Sequence, residues 1–486
     1  MITIAEYLKK VDEVIEGGKF KDNWESLSQF KIPSWYREGR FGLFIHWGVY
    51  SVPATESEWY PRQMYLKDTK SYKHRLENYG ADFDYRKFIE KFNPTKFNAD
   101  EWLDIFEKSG AKYIMPVAEH HDGIKMYKSE LNRWNMFDLP QNRDFISELH
   151  KAADSHNIGF LCSNHRAEHF WFMNGARKNF PNSEIAKNEY ADLYGPAALH
   201  TTGNPYDNEK CPPTKEWCED WLASASEMID KNQPLAVYFD WWINKPEFKP
   251  YLKKFLAYYY NRGIEWGKEV AVFYKVGAVM NGCAIFDVER GQIDGVSPVL
   301  WQNDTAIAKN SWGYTLGNDF KTPYEILTNM IDVVSKNGCY MLNVGPKADG
   351  TICPEEKNVL LEIGKWLSSN GEAIYGSYPF EVFGEGKFGK NGTFKENLKY
   401  SKSDYRFTYK PGAIYIFIMS NKDNNKHSVK SLKNANEGGI RYTITKAEAL
   451  GFNNKISYNQ TEKSFDFEIE GSIDHTLPIC IKVSVD

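Results

Sequence analysis

The chain has 486 residues, a formal net charge of -5, 42% hydrophobic residues and 26% charged ones. That is more than a single hydrophobic core usually sustains, so one large domain plus a smaller one is the economical reading, with the apolar and charged balance of a soluble globular protein rather than a disordered one. The mild negative charge gives no footprint for nucleic acid, whose polyanionic backbone selects basic surfaces.

The chain opens on MITIAEYLKKVDEVIEGGKF, where Glu6, Asp12 and Glu13 interrupt the apolar residues. It therefore reads as neither a signal-peptide core nor a spanning segment, and no membrane partner and a cytoplasmic location are expected. Seven short apolar runs follow in order: FGLFIHWG from 41, KYIMPVAEHH from 112, IGFLCSNH from 158, LAVYFDWW from 235, EVAVFYKV from 269, PVLWQND from 298 and CYMLNVG from 339. Continuous runs of this kind suit strands buried on both faces, as in a parallel sheet. Amphipathic helical patterns lie between them, at 99–110, 142–157, 213–231 and 323–338.

This alternation predicts an α/β fold, a (β/α) barrel or an open doubly wound sheet. No Gly-rich fingerprint follows the first strand, which counts against a nucleotide-binding version. After NGEAIYGSYPF at 370–380 the pattern changes. Runs such as YRFTY (405–409), AIYIFIM (413–419), RYTIT (441–445) and SFDFEIE (464–470) alternate with Gly, Asn, Lys and Asp clusters, the chemistry of antiparallel strands and turns. The expected division is a catalytic barrel domain over 1–375 and a β-sandwich over 376–486. The seven cysteines, 162, 211, 218, 283, 339, 353 and 480, show no CxxC pair or zinc-like spacing and are expected to be reduced thiols.

In a parallel barrel the active site lies at the C-terminal ends of the strands, and the polar residues of this chain gather there. His46 follows the first run, Glu119, His120, His121 and Asp122 the second, and Asn164, His165 and Arg166 the third. Asp240, Lys275, Asn303 with Asp304, and Asn343 close the remaining four. Any one of them is more simply a satisfied structural group. Their recurrence at one rim points to a site.

A metal hydrolase is the weaker reading, because adjacent residues on a strand face opposite ways and no HExxH or HxH spacing occurs, so no metal or other cofactor is expected. A Ser/His/Asp triad lacks its GxSxG elbow. Carbohydrate chemistry fits better. A pyranose offers hydroxyls to His, Glu, Asn and Lys and an apolar face to an aromatic ring, and Trp47, Trp59, Trp241, Trp242, Trp301 and Trp312 lie at or near strand ends. Glycoside hydrolysis then needs two carboxyls. Asp240, at the tip of YFDWW, is the candidate nucleophile, although it could equally cap the next helix. Glu289 in FDVERGQ is the candidate acid/base, with Gly291 marking a loop over the site, although Arg290 could make it an ordinary ion pair. Glu168 is the next candidate donor.

Residues 35–65 (WYREGRFGLFIHWGVYSVPATESEWYPRQMY), HHDGIKMYKSELNRWN (120–135), SNHRAEHFWF (163–172), FDVERGQ and NSWGY (310–314) resemble the motifs of glycoside hydrolase family 29, the α-L-fucosidases, over roughly residues 20–380. The resemblance implies a distorted (β/α)8-like barrel with a C-terminal β-sandwich and a retaining, metal-free mechanism on a fucosylated oligosaccharide or glycoconjugate. It implies that His46, Glu58, Trp59, His120 and His121 hold the fucose hydroxyls, with Trp312 as the wall for its ring and methyl group. Asp240 matches the family's nucleophile. His165 and Lys275 are added from their place at the rim. Two other readings stay open: a retaining glycosidase on a related sugar such as α-L-galactose, and a carbohydrate-binding protein without catalysis. Oligomeric state is not legible.

Overall fold

In the computed structural model of the protein, residues 2–180, 185, 187–194, 211–396, 398–420, 422, 425–434 and 442–486 are described. Nine short parallel strands form one sheet: β1 (Phe41–Ile45), β2 (Tyr113–Glu119), β3 (Gly159–Phe160), β4 (Cys162–Asn164), β5 (Ala236–Phe239), β6 (Ala271–Tyr274), β7 (Ile285–Phe286), β8 (Trp301–Ala306) and β9 (Gly338–Val344). β3 and β4 both pair with β2 and act as one interrupted stave. The spatial order β7-β6-β5-β4-β2-β1-β9-β8 is therefore chain order, with β9 returning beside β1. The remaining seam carries a bridge of Asp287 with Gln302 and the bond Val288 N–H to Gln302 O at 2.9 Å. The sheet is thus a nearly closed eight-stave barrel. Every residue of β1, β2, β5, β6, β8 and β9 is buried, as the double coverage of a parallel sheet requires.

The four helical patterns become helices Ala99–Lys108, Phe145–Ser155, Lys215–Asn232 and Pro323–Ser335. Each begins where a side chain accepts an otherwise unpaired N–H of the first turn: Asn98, Asp144, Thr214 and Thr322, the last closing a capping box with Glu325. Residues 275–284 and 287–300, between β6 and β7 and between β7 and β8, contain no helix. The barrel is distorted on this side, and its loops there are free to fold over the mouth.

From Tyr378 onward all pairing is antiparallel. β10 (Tyr378–Glu385), β11 (Tyr405–Lys410), β12 (Ala413–Ile418), β13 (Lys426–Val429), β14 (Ile444–Ala449), β15 (Ile456–Gln460), β16 (Phe465–Ile469) and β17 (Ile479–Val485) form a sheet of order β10-β11-β12-β17-β14 and a second of order β13-β16-β15. Arg441, the first residue of the RYTIT run, lies outside the described residues. Residue alternation on β12 serves two cores at once. Ile414, Ile416 and Ile418 pack between the two sheets, whereas Ala413, Tyr415, Phe417 and the following Met419 join the barrel's apolar cluster.

A buried ionic cluster seals the same junction, with Asp332 accepting from Arg406 Nε at 2.5 Å and Lys336 Nζ at 2.8 Å. A pair removed from water in this way is strongly destabilising to break from one side, because the charge left behind has no partner. No helix among the described residues is long and apolar enough to cross a membrane, and all seven cysteines are buried.

Candidate active site

β1 shows how the chain builds the site. Its five residues are all buried, and the alternation at its end sends His46 into the barrel mouth and Trp47 the other way. Trp47 stacks on Phe97 at 4.9 Å and donates its indole N–H to Lys347 O, deep in the core. Trp301 is likewise remote from the mouth, at the start of β8 with its indole bonded to Lys336 O. Of the tryptophans named from sequence, Trp59, Trp241 and Trp312 line the mouth.

A cavity of about 420 Å³ opens at the C-terminal strand ends, within the usual range of ligand pockets. His46, Glu58, Trp59, His120, His121, His165, Asp240, Lys275, Glu289 and Trp312 all line it. β2 ends at Glu119, so His120 and His121 leave strand geometry and both turn inward, their rings 4.3 Å apart. Glu119 and Arg166 pair with each other at 2.5 Å, and Asp122 takes the Tyr85 hydroxyl at 2.6 Å. These three rim candidates are absent from the cavity lining.

Burial and hydrogen bonds together set the states of the site histidines. Asn343 donates its amide to Trp312 O at 2.7 Å, so its Oδ1 is the acceptor for His46 Nδ1 at 2.6 Å. Burial, with His165 close by, holds His46 well below the usual imidazole range. A neutral His46 protonated at Nδ1 therefore presents the lone pair of Nε2. Burial, reinforced by His121, likewise keeps His120 neutral, and its Nδ1 has no protein partner.

His165 is committed internally. Nδ1 donates to Asp240 Oδ2 at 3.2 Å, and Nε2 takes the Ser163 hydroxyl. His121 is the charged member. Burial opposes its protonation, but Glu168 at 3.4 Å and Asp240 at 3.4 Å overcome this and raise it to about 9.

The opposite wall is organised by Lys275. Its ammonium lies 2.6 Å from Glu289, 3.4 Å from Asp240, 3.4 Å from Asp304 and 3.8 Å from Asp287. Burial disfavours its charge, but these carboxylates hold its pKa well above the lysine range. Burial also acts on the two site carboxyls, with opposite outcomes. For Asp240, Lys275 and the bonds from His121 and His165 outweigh burial and keep the group well below the carboxylate range. For Glu289, burial prevails over Lys275, helped by Asp304 and Asp240, and the pKa is raised. Burial and Asp304 push Asp287 far up as well. The legs of 3.4 and 2.6 Å through one ammonium, laid end to end, place oxygens of Asp240 and Glu289 no more than about 6 Å apart. Retaining glycosidases hold their two carboxyls at about 5 to 5.5 Å and inverting ones at roughly 6.5 Å or more.

Glu58 accepts the Trp312 and Gly313 N–H groups at 2.9 and 3.2 Å, which pins the Trp312 loop to the mouth. Asn303 donates to Val288 O and Gly291 O at 3.0 Å each, and so sets the loop carrying Glu289. Gly291 is required there for close approach, since a Cβ would stand 2.6 Å from Gly392 O. Glu168 is buried behind His121 and does not line the cavity, and burial raises it to about 7. Lining residues that the sequence reading gave no site role include Phe44, Tyr238, Lys309 and Phe394. Tyr238 follows from strand alternation two residues before Asp240; Phe394, from beyond the barrel, had no local signal.

Ring nitrogens of His46, His120 and His165 lie within 4.8 Å of one another, as do ligand atoms of His121, His165 and Asp240. An ion in either group would have to displace the bonds of His165, and in the second the proton of His121. As bonded, the site suits a neutral, hydroxyl-rich ligand.

A sequence model of the family described as Alpha-L-fucosidase matches residues 8–372. Over 381 residues the chain is 30% identical to the tissue alpha-L-fucosidase of Bos taurus, covering 76% of this chain and 74% of that protein. Over 455 residues it is 28% identical to the tissue alpha-L-fucosidase of Rattus norvegicus, covering 91% and 86%. The fold matches the crystal structure of Thermotoga maritima alpha-fucosidase in complex with a mechanism-based inhibitor, at a TM-score of 0.75 and 25% identity over 96% of this chain and 100% of that one.

Proposed function

The chain belongs to the α-L-fucosidase family, and from that premise we propose that it releases terminal α-L-fucose with Asp240 as nucleophile and Glu289 as acid/base. The reaction is a retaining glycoside hydrolysis of fucosylated substrates. One observation carries the assignment of roles: two carboxyls on one cavity, close enough for a covalent route, whose surroundings drive their pKa values apart.

Ionised Asp240 attacks the anomeric carbon while Glu289 gives its proton to the departing oxygen, so one C–O bond forms as the other breaks. Esterification removes the Asp240 charge that had pushed Glu289 upward. Glu289, already ionised by giving its proton to the leaving group, therefore stays a carboxylate, takes a proton from water, and the hydroxide equivalent displaces Asp240 from the sugar. His165 and His121 position Asp240, since their ring nitrogens are spent on it and on the protein. His46 and His120 hold the sugar: the first offers Nε2 as an acceptor, and the second lines the cavity as a neutral imidazole.

The experiment is covalent trapping with 2-fluoro-fucosyl fluoride followed by peptide mass mapping. One fucosyl increment on the peptide containing Asp240 is expected. An increment on the Glu168 or Glu289 peptide would overturn the assignment.

A further inference from the structure

Phe394 lies in the crossing between β10 and β11, outside the barrel, yet its ring lines the active-site cavity. It is 63% exposed and belongs to none of the three buried apolar clusters. Its φ of 56° is a left-handed conformation that a side chain with a Cβ resists. Nothing in packing rewards that strain. A large apolar ring held in an unfavourable backbone state at the mouth of a site is the pattern of a ligand contact.

The backbone ties this ring to the proposed proton donor. Phe394 N–H bonds to Glu289 O at 3.1 Å and Lys395 N–H to Arg290 O at 2.9 Å, while Gly392 and Gln292 exchange bonds of 2.9 and 3.1 Å. Glu396, two residues on, is clamped by Lys321 at 2.6 Å and Thr305 at 2.5 Å. The segment is thus a turn laid against the Glu289 loop through a single bridge at Gly392, and its backbone keeps a fixed place relative to the Glu289 loop.

We propose that Phe394 is the stacking platform for the sugar ring that leaves with the scissile oxygen. The inference rests on Glu289 as donor: the departing oxygen must lie at Glu289, so the group attached to it projects onto the side where Phe394 stands. The fucose itself faces the histidines and Trp312. A pyranose with an apolar C–H face is the chemistry that an exposed phenyl ring recognises.

The test uses the full-length enzyme with Phe394→Gly, which accepts the left-handed backbone without strain, and Phe394→Tyr, which keeps the ring. The probes are α-L-fucosyl fluoride, whose leaving group has no ring, and whichever of fucosyl-galactose and fucosyl-N-acetylglucosamine the enzyme cleaves faster. Phe394→Gly should lower kcat/KM on the disaccharide about five- to ten-fold more than on the fluoride, chiefly through KM, and Phe394→Tyr should restore it. Equal losses on both substrates, or no rescue by Tyr, would overturn the platform and leave Phe394 as a brace for the Glu289 loop. Glu289→Ala on the same pair keeps the two readings apart, because a loss concentrated on the disaccharide upholds Glu289 as donor whatever Phe394 does.

Discussion

The two walls of the cavity face one substrate with opposite physics. Around Lys275, four carboxyls gather within 3.8 Å of a single ammonium, and burial set against these charges lowers Asp240 and raises Asp287 and Glu289. Across from it, His46 and His120 are kept neutral by burial, and their use depends on which ring nitrogen carries the proton. A fucosyl group is uncharged until its bond begins to break, so under the proposed roles the neutral wall would recognise the ground state and the charged wall would serve the oxocarbenium-like transition state. The difference teaches that substitutions on the first wall should act on kcat and its pH dependence. Those on the second should act on binding.

The sharpest break is Asp240→Asn, which removes the nucleophile while keeping its shape; turnover of an aryl α-L-fucoside should fall about 10⁴-fold or more with the thermal transition still present in a melting scan. Glu289→Ala comes next. Its loss, about 10²- to 10⁴-fold on a poor leaving group, should be far smaller on an activated aryl fucoside. Azide should rescue the aryl substrate and give an α-fucosyl azide, because its attack needs no base and inverts the β-linked intermediate, and NMR of the product checks its configuration.

Lys275→Met tests the electrostatics themselves. The ammonium lowers both carboxyls, so its loss should raise both: the acid limb of kcat/KM, set by ionisation of Asp240, and the alkaline limb, set by deprotonation of Glu289, should each move to higher pH by about one unit, with about a hundred-fold loss at the optimum. Limbs that stay in place would break the idea that one cation governs this wall. The smallest effect belongs to the histidine wall. Asn343→Leu frees the His46 tautomer and should weaken fucose, measured as a competitive inhibitor, about ten-fold without moving either limb.

Much of this was legible in the sequence, for identifiable reasons. Long apolar runs ending in a polar residue marked seven of the eight staves and the rim, because a parallel barrel buries both faces of each strand and exposes its C-terminal ends. β7 escaped, since Ile285 and Phe286 are too short a run to carry a period. The residues given catalytic or sugar-binding roles from sequence line the cavity, whereas the rim candidates Glu119, Asp122 and Arg166 and the alternative donor Glu168 do not, and the division of labour among the lining residues was not visible. That His165 is spent on Asp240 while His46 is held by Asn343 depends on contacts across 75 and 297 residues, which exist only after folding. The tryptophans were the least readable group, because an indole at a strand end fills a core as readily as a pocket, and Trp47 and Trp301 do the former. Phe394 was invisible for the plainest reason: it is separated from Glu289 by more than a hundred residues and reaches it through backbone bonds that any sequence can make.

The two-faced strand β12 also bears on how the molecule comes into being. Synthesis runs from the N-terminus, and early segments begin to fold before later ones exist. Here the wall of the barrel that receives Tyr415 and Phe417 is made of residues completed earlier, Trp366 among them. Until β12 emerges, that wall stays uncovered and sticky, and the nascent enzyme depends on whatever shields apolar surface in the cell. A truncation or nick late in the chain therefore strikes the first-made part hardest: the barrel is left permanently in its most aggregation-prone, half-born state.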